Sequence, residues 1–379
     1  MRAARGTVRV VSAFVVPEPR LQRVHDLTGM EVFQCDKMGV GRRFFDTVVV
    51  KGTFLLAPGV LRRAPQQSPL VLADDYWDTV APERSSVRHA GEVLLYKPST
   101  DVLVTGTLVA PHGRRRPAWE ASVRVHDGDD TLALAHARVT GPRWWTWDDA
   151  RAWALTEPAD TDHVPVRYEF AYGGAFPDPR QREGDVALDW VTHRANPCGT
   201  GFVNPDTLDR ATPVPAPRWE SPSHPVTALN REVPVAGFGP IARHWSQRLP
   251  YAGTYDDAWE RQALDDIARG VPADYAADFD VRFFQCAHPS LVTSRPLAGH
   301  ETITLTGLRA DPDALRMTPG AVRVMARMLD GSGSWSEEPM RLDTVHIDLD
   351  RALVHLCWRV TLDHARDVRT LLCLTEEPP

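Results

Sequence analysis

The chain has 379 residues, of which 43% are hydrophobic and 25% are charged, a globular composition that excludes disordered, collagen-like and coiled-coil proteins. Its net charge of −7 argues against a dedicated nucleic-acid-binding protein, because such proteins carry clustered excess cation. The five cysteines stand at long spacings without a CxxC pair, which argues against a disulfide scaffold or a zinc ribbon and favours the reducing cytoplasm.

The N-terminal residues superficially resemble a signal peptide. Arg9 interrupts an apolar run over residues 8–16, and Pro17-Glu18-Pro19 stands where a small-residue cleavage site would be needed. We therefore expect a first strand with a short tail. No apolar run approaches 18 residues, so we expect no membrane-spanning segment.

Alternation of apolar with other side chains dominates much of the chain and predicts β-strands with one buried face. The segments with this pattern are residues 47–56, 102–109, 122–126, 302–308, 344–349 and 354–362. Turn sequences such as Asp127-Gly128-Asp129 and Asp330-Gly331-Ser332-Gly333 separate them. Many short strands without intervening helices predict a mainly β protein of antiparallel, sandwich-like sheets.

The middle of the chain has a different composition, rich in Pro, Gly and Trp. Five prolines between residues 213 and 225 predict an extended, polyproline-like stretch. The irregular segment is too long for an ordinary loop. We expect it either to fold as an irregular layer over the sheets or to form the functional surface.

One short helix is predicted near residues 256–269. Asp256 is a suitable N-cap, Gly270 can end the helix in a left-handed conformation, and Pro272 prevents its continuation. The apolar positions at helical spacing are Trp259, Ala263, Leu264 and Ile267. The positions expected on its outer face are Glu260, Arg261, Asp265, Asp266 and Arg269.

These patterns divide the chain into four segments. They are an N-terminal extension with a first strand (1–45), an N-terminal β region (46–170), an irregular Pro-rich connection (171–255), and a C-terminal helix and β region (256–379). We find no clean boundary between them and expect one intertwined unit.

Charge is divided unevenly along the chain. Residues 1–63 carry 11 Lys or Arg and 5 Asp or Glu, a net charge of +6, whereas residues 151–379 carry 23 and 33, a net charge of −10. This asymmetry fits a charge-complementary docking surface, although a basic face solvated by water would give the same count. Only three of the 43 cationic residues are lysines, which we attribute mainly to coding bias.

Catalytic and metal-binding motifs are weak. Residues 237–242 match the spacing of a dinucleotide-binding loop, but Pro240 lies inside the motif and no helical pattern follows. Cys286 lies near His288, yet nothing nearby supplies an orienting base or an oxyanion hole. Asp101 could pair with Lys97 or Arg167, but a surface pair would stabilise little. We find no carboxylate pair with shifted pKa values and predict no catalytic residue, metal ligand or cofactor.

Aromatic and basic residues cluster late in the chain. Trp and Arg are frequent binding hot spots, although packing in the core is at least as good an explanation for aromatic residues. The candidate partner-binding residues are Arg243, Trp245, Tyr251, Tyr255, Trp259 and Arg282. A second aromatic group over residues 144–153 could serve a glycan-binding β module.

Eight sequence blocks carry a family resemblance. They are 48–54 (VVVKGTF), 96–106 (YKPSTDVLVTG), 153–158 (WALTEP), 165–174 (PVRYEFAYGG), 196–202 (NPCGTGF), 237–245 (GFGPIARHW), 251–259 (YAGTYDDAW) and 278–287 (DFDVRFFQCA). In this order they resemble the bacterial family called domain of unknown function 2169, over about residues 48 to 360. The first 45 residues, and the stretch after Gln285, depart from the family's usual sequence.

The resemblance implies a role in type VI secretion, since members of that family are regarded as effector chaperones or adaptors. It implies a non-enzymatic cytoplasmic protein whose partners are a cognate secreted toxin and a VgrG or PAAR-type spike protein, without nucleic acid or membrane. The family offers no catalytic residues to transfer. The alternatives that the sequence leaves open are a glycan-binding β module and an unrecognised hydrolase.

Overall fold

The computed structural model describes residues 20–376 except 151, 179, 181, 184, 185, 188 and 321. The strand expected in the first 16 residues lies outside the described residues. Within the described part the chain is mainly β, with α1 (Asp257–Ala268) as its single α-helix. The predicted fold class and the predicted short helix are therefore confirmed. No helix in the described residues is long and apolar enough to cross a membrane.

The strands range from two to twelve residues. In chain order they are β1 (Arg23–Asp26), β2 (Glu31–Met38), β3 (Phe44–Leu55), β4 (Gly59–Val60), β5 (Arg62–Arg63), β6 (Asp75–Tyr76), β7 (Val87–His89), β8 (Asp101–Thr105), β9 (Thr107–Val109), β10 (Ala118–Asp127), β11 (Asp130–Thr140), β12 (Trp144–Asp148), β13 (Ala152–Leu155), β14 (His163–Pro165), β15 (Tyr172–Gly173), β16 (Ala175–Pro177), β17 (Arg182–Glu183), β18 (Val186–Ala187), β19 (Trp190–Thr192), β20 (Thr200–Gly201), β21 (Val214–Pro215), β22 (Trp219–Glu220), β23 (Thr302–Thr306), β24 (Leu315–Thr318), β25 (Arg323–Asp330), β26 (Trp335–Pro339), β27 (Arg341–Asp348), β28 (Leu353–Asp363) and β29 (Val368–Glu376). All six segments with alternating residues overlap strands. The described strands of the irregular middle, β15 to β22, have only two or three residues each.

Three larger sheets organise these strands. The central sheet has the order β2-β3-β28-β27-β8, with β5 also paired to β3; the second sheet has the order β22-β11-β10-β23-β24-β4, and the terminal sheet the order β1-β29-β25-β26. Most pairs in these three sheets are antiparallel, but β1 with β29, β8 with β27, and β4 with β24 are parallel. Each parallel pair joins strands far apart in sequence, which alternation along one strand does not reveal. The sandwich-like arrangement stays a prediction.

One continuous hydrophobic core joins the three sheets. It includes Val50 of β3, Val123 of β10 and Met328 of β25. A smaller cluster, which includes Trp145 and Tyr172, lies under the irregular middle. The four sequence segments proposed above stay predictions, although the first described strands, β1 and β2, pair with β29 and β3.

The central strand β28 departs from the expected pattern. Alternation predicts one buried face, yet His355, Cys357 and Arg359 on the other face are buried as well. Arg359 donates to the Glu92 carbonyl at 2.8 Å and pairs with Asp343 at 2.5 Å. The chain segment that precedes β8 thus covers this face. The charged groups buried there have partners within the protein in place of water.

Candidate partner-binding site

Residues 251–280, which we call the helical loop, carry α1 and are closed at their base by hydrogen bonds. The Asp280 amide donates to the Tyr251 carbonyl at 3.0 Å. The Thr254 amide and hydroxyl both donate to the Asp278 carboxylate at 2.8 Å. Gly253 sits here with φ +90°, where an added Cβ would lie 2.7 Å from the Ala276 Cβ. Only glycine fits this close crossing without strain.

The ends of α1 follow the sequence prediction. The Asp256 side chain accepts hydrogen bonds from the Ala258 and Trp259 amides at 3.1 and 2.9 Å, which makes it the N-cap. Gly270 adopts φ +72°, directly after the last turn. The helix is therefore fixed at both ends by local chemistry.

The orientation of α1 differs from the prediction. Leu264 and Ile267 were expected to face the core but are 60% and 48% exposed, whereas Asp266, expected on the outer face, is only 3% exposed. The cause is an ion pair between Asp266 and Arg42, which comes from the chain just before β3. Arg269 also pairs with Asp266, at 2.6 Å. Two apolar side chains are consequently left in contact with solvent.

Beside α1 runs an open groove with a volume of about 510 Å³, which we call the α1 groove. Its described lining residues are Arg42, Thr254, Asp256, Trp259, Gln262, Ala263, Asp266, Asp274, Tyr275, Ala277 and Asp278. The Trp259 indole donates to the Asp274 carbonyl at 3.1 Å. Tyr255 packs edge-on against Trp259 with ring centroids 4.7 Å apart. These contacts hold the aromatic wall in one orientation.

The groove is acidic. Its lining contains four carboxylates, whereas Arg42 is the one basic side chain among the lining residues described. Asp274 accepts hydrogen bonds from the Arg42 amide at 3.2 Å and the Tyr275 amide at 2.8 Å. Hydrogen bonds from Thr254, first of all from its amide, lower the pKa of Asp278. These carboxylates are thus held in place by hydrogen-bond donors of the protein.

Two of the six candidate residues from the sequence, Trp245 and Arg243, lie outside the helical loop. Trp245 has no exposed surface and packs against Tyr168 with ring centroids 5.2 Å apart. Arg243 is half-exposed and pairs with Asp74 at 3.1 Å. Trp245 therefore belongs to the core, where a partner could not reach it without rearrangement.

The other candidates belong to the helical loop or lie next to it. Trp259 lines the α1 groove, and Tyr255 packs against Trp259. Arg282 lies over the Tyr251 ring at 4.4 Å and pairs with Asp280 at 2.6 Å. The stack of Tyr251 with Arg282 thus stands at the closed base of the loop, and the structure brings these four residues into one region.

Sequence reasoning missed an aromatic cluster next to this base. Phe279 lies 4.4 Å from the Tyr275 ring, 5.9 Å from Phe283 and 5.6 Å from Phe284, measured between centroids. All four side chains are only partly buried. The density of aromatic residues over positions 275–284 could have indicated this cluster. It does not show which side of the cluster faces solvent.

The thiol considered as a nucleophile has surroundings that suppress its reactivity. Cys286 is buried, and burial raises the pKa of its thiol to about 12. His288 does not activate it, since its Nε2 contacts the Val235 carbonyl at 3.0 Å and its Nδ1 accepts from the Ser290 amide. A thiol that stays protonated is a poor nucleophile.

Lys97 and Asp101 form a buried pair instead of the expected surface pair. Their Nζ and Oδ2 atoms are 2.7 Å apart, and both side chains are almost fully enclosed. Lys97 also donates to the Thr344 hydroxyl at 2.9 Å. A cavity of about 20 Å³ beside Lys97 and Cys286 has room for about one water molecule.

Within the part of the chain that the structure describes, two groups of side chains have spacings that a metal could use. Ligand atoms of Asp36, Asp46 and His364 lie within 4.8 Å of one another, as do those of Asp127, His300 and Glu301. Arg295 already pairs with Asp127 at 2.7 Å and with Glu301 at 2.5 Å. Burial and the neighbouring Asp46 raise the pKa of Asp36 to about 6. The expectation that no carboxylate pair has a shifted pKa is therefore wrong.

Comparison with known proteins gives one match. A family model described as an uncharacterized protein conserved in bacteria, DUF2169, matches residues 42–359. Neither the curated proteins nor the solved structures contain a match to this chain. The matched range begins at Arg42 and includes the entire helical loop.

Proposed function

The chain belongs to this bacterial family, DUF2169, and from that premise we propose that it is a non-enzymatic adaptor of type VI secretion. It binds a cognate secreted effector in the cytoplasm and assists the loading of that effector onto the VgrG or PAAR-type spike. The collinear sequence blocks support the link to secretion. The single structural observation that carries the binding function is the exposed apolar and aromatic surface of the helical loop.

This surface has the composition of a protein-binding site. Leu264, Ile267 and Tyr255 expose roughly half of their side chains or more on one short segment. Neighbouring apolar groups rimmed by charge are typical of interaction sites. Trp259, fixed by its hydrogen bond to Asp274, would lose little side-chain entropy on binding, because its orientation is already set.

The state of the buried titratable groups supports a role in binding over catalysis. Burial raises the pKa of the Cys286 and Cys357 thiols and lowers the pKa of His346 and His355. At neutral pH the thiols are therefore protonated and the imidazoles neutral. A hydrolase needs an activated nucleophile beside a base whose pKa suits proton transfer.

Deletion and co-purification test this function. The tagged full-length chain is co-expressed with the protein encoded beside its gene, and the soluble and co-eluting fractions of that protein are measured. We expect co-elution, and we expect secretion of the neighbouring protein to fall when this gene is deleted. If the neighbouring protein stays soluble and is secreted normally without this chain, the adaptor function is wrong.

A matched pair of variants locates the contact. Ile267→Asp places a charge on the exposed face of α1, whereas Val60→Asp places the same charge on the exposed β4. We expect only Ile267→Asp to reduce co-elution, because an unpaired charge in an apolar contact is costly. An equal loss in both variants would contradict binding through the helical loop.

A further inference from the structure

The acidity of the protein is concentrated in the helical loop. Residues 251–280 contain eight Asp or Glu and two Arg, a net charge of −6, against −7 for the whole chain. The remaining 349 residues therefore sum to −1. A surface of one sign repels like charge and attracts the opposite charge, so this segment distinguishes between classes of partner.

Four of these eight carboxylates line the α1 groove, those of Asp256, Asp266, Asp274 and Asp278. Asp266 is compensated by Arg42 and Arg269. Asp274 and Asp278 are held by amide and hydroxyl donors, and no cation within the described residues forms an ion pair with either of them. These two carboxylates are thus held in fixed positions, and no basic side chain within the described residues compensates their charge.

The groove also contains aromatic rings that can bind a cation. Trp259 and Tyr275 line the same volume as Asp274 and Asp278, and aromatic faces attract guanidinium and ammonium groups. The alkyl stems of Lys and Arg can also cover apolar surface while their charged ends stay solvated, and Leu264 and Ile267 provide such surface on α1. Nucleic acids and anionic membranes would be repelled by this arrangement.

We propose that the α1 groove binds a basic peptide segment of the partner protein, with Arg or Lys side chains placed among Asp274, Asp278 and the Trp259 ring. The inference rests on the proposed function for the identity of the partner as the effector. The chemistry of the groove is independent of that identity. The charged groove and the apolar face of α1 then form one continuous contact surface.

The test uses the full-length protein and a fluorescein-labelled nonapeptide in which arginine alternates with alanine or leucine. The comparison peptide carries neutral citrulline at each arginine position. Fluorescence polarisation measures both dissociation constants at low and at physiological salt. We expect the arginine peptide to bind about tenfold more tightly than the citrulline peptide, and we expect its affinity to fall with salt, since exposed charges are screened.

Matched variants assign the binding to the groove. Asp274→Asn/Asp278→Asn removes two charges and keeps oxygen acceptors for the neighbouring amides, while Asp129→Asn/Asp313→Asn removes two charges from exposed turns elsewhere. We expect the groove variant to lose about fivefold to tenfold in affinity for the arginine peptide and the control to keep wild-type affinity. Asp278→Asn alone, at an exposed position, serves if the double variant does not fold.

Three results would overturn the inference. They are equal binding of the citrulline peptide, unchanged affinity in the groove variant, and a concentration-dependent dimer in sedimentation that Leu264→Glu abolishes. The last result would mean that a second copy of the chain covers this face.

Capture of the neighbouring protein separates the two proposals. If wild type and groove variant capture it equally, the adaptor function stands and the groove inference fails. If the wild type binds the arginine peptide in the groove but captures no neighbouring protein, the groove inference stands and the adaptor function fails.

Discussion

Two of the three lysines in the chain, Lys51 and Lys97, lie in the interior, each against a carboxylate. Lys51 pairs with Glu92 at 2.7 Å and Lys97 with Asp101 at 2.7 Å. Lys97 remains cationic, because although burial disfavours the charge, Asp101 and other neighbours raise its pKa. The ammonium group is compact and sits on a flexible stem, which suits these enclosed positions in a chain that otherwise uses arginine.

Replacing Lys97 tests how much the buried pair of Lys97 and Asp101 contributes to stability. Lys97→Met leaves the Asp101 carboxylate enclosed without a counter-charge, and we expect it to lower the free energy of unfolding by about 3 to 5 kcal/mol. Urea unfolding measures the change, and adding Asp101→Asn should restore part of it. The control is Arg282→Met, which breaks an exposed pair with Asp280 and should cost less than about 1 kcal/mol. Equal losses in both single variants would contradict the burial of Lys97.

Asp36 gives the protein a specific pH dependence. Burial and the charge of Asp46 raise its folded-state pKa from 3.8 to about 6. Since the folded state favours the protonated form, this contribution to stability is present below about pH 4 and is lost as the pH rises through 6. Asp36→Asn removes the dependence. We expect the variant to exceed wild type in urea stability at pH 8, by less than about 1 kcal/mol because Asp36 is exposed to solvent, and to match it at pH 4.

A constant difference between Asp36→Asn and wild type across this range would mean that Asp36 titrates normally.

Residue type predicts local chemistry better than it predicts exposure. Asp256 as a cap and Gly270 as a left-handed terminator depend on their own backbone, and both are confirmed. Trp245 and Tyr255 are aromatic residues of the same sequence cluster, yet Trp245 is fully buried and Tyr255 is half-exposed. Their difference is set by Tyr168, a contact 77 positions away from Trp245, which no local pattern contains.

At the scale of elements, α1 depends on its N-cap. Asp256→Ala removes the acceptor for the Ala258 and Trp259 amides, and we expect it to cost about 1 kcal/mol. Asp256→Asn keeps an acceptor and should retain most of the stability. Urea unfolding of the two variants measures the difference, and an Asn variant as unstable as the Ala variant would show that the side chain stabilises through charge alone.

Helical periodicity predicted α1 but not which face of the helix is buried. Alternation predicted β28 but not that both of its faces are buried. Both errors have one cause, a polar partner that is distant in sequence. Asp266 turns inward because Arg42 meets it, 224 positions away, and Arg359 is buried because the Glu92 and Leu94 carbonyls accept from it. Periodicity reports which residues are apolar, whereas the pairing of buried charges decides which polar residues join them.

At the scale of the whole molecule, the chain combines a large β core with the helical loop, to which we assign the proposed recognition. The three sheets share a continuous core to which residues from both ends of the described chain contribute, Leu21 and Cys373 among them. The helical loop is closed at its base by its own hydrogen bonds and is linked to the chain before β3 through Arg42, and it carries most of the net charge. The strand segments could be predicted from the sequence, but the parallel pairs and the α1 groove could not, because both depend on contacts between distant segments.

Hydrogen–deuterium exchange on the full-length chain, with and without the protein encoded beside its gene, tests the central claim most directly. Binding through the helical loop predicts slower amide exchange in residues 251–280 when the partner is present, with unchanged exchange in the edge strand β26. Slower exchange confined to other segments would contradict the assigned surface. Unchanged exchange throughout, even with the partner in large molar excess, would contradict the adaptor function itself.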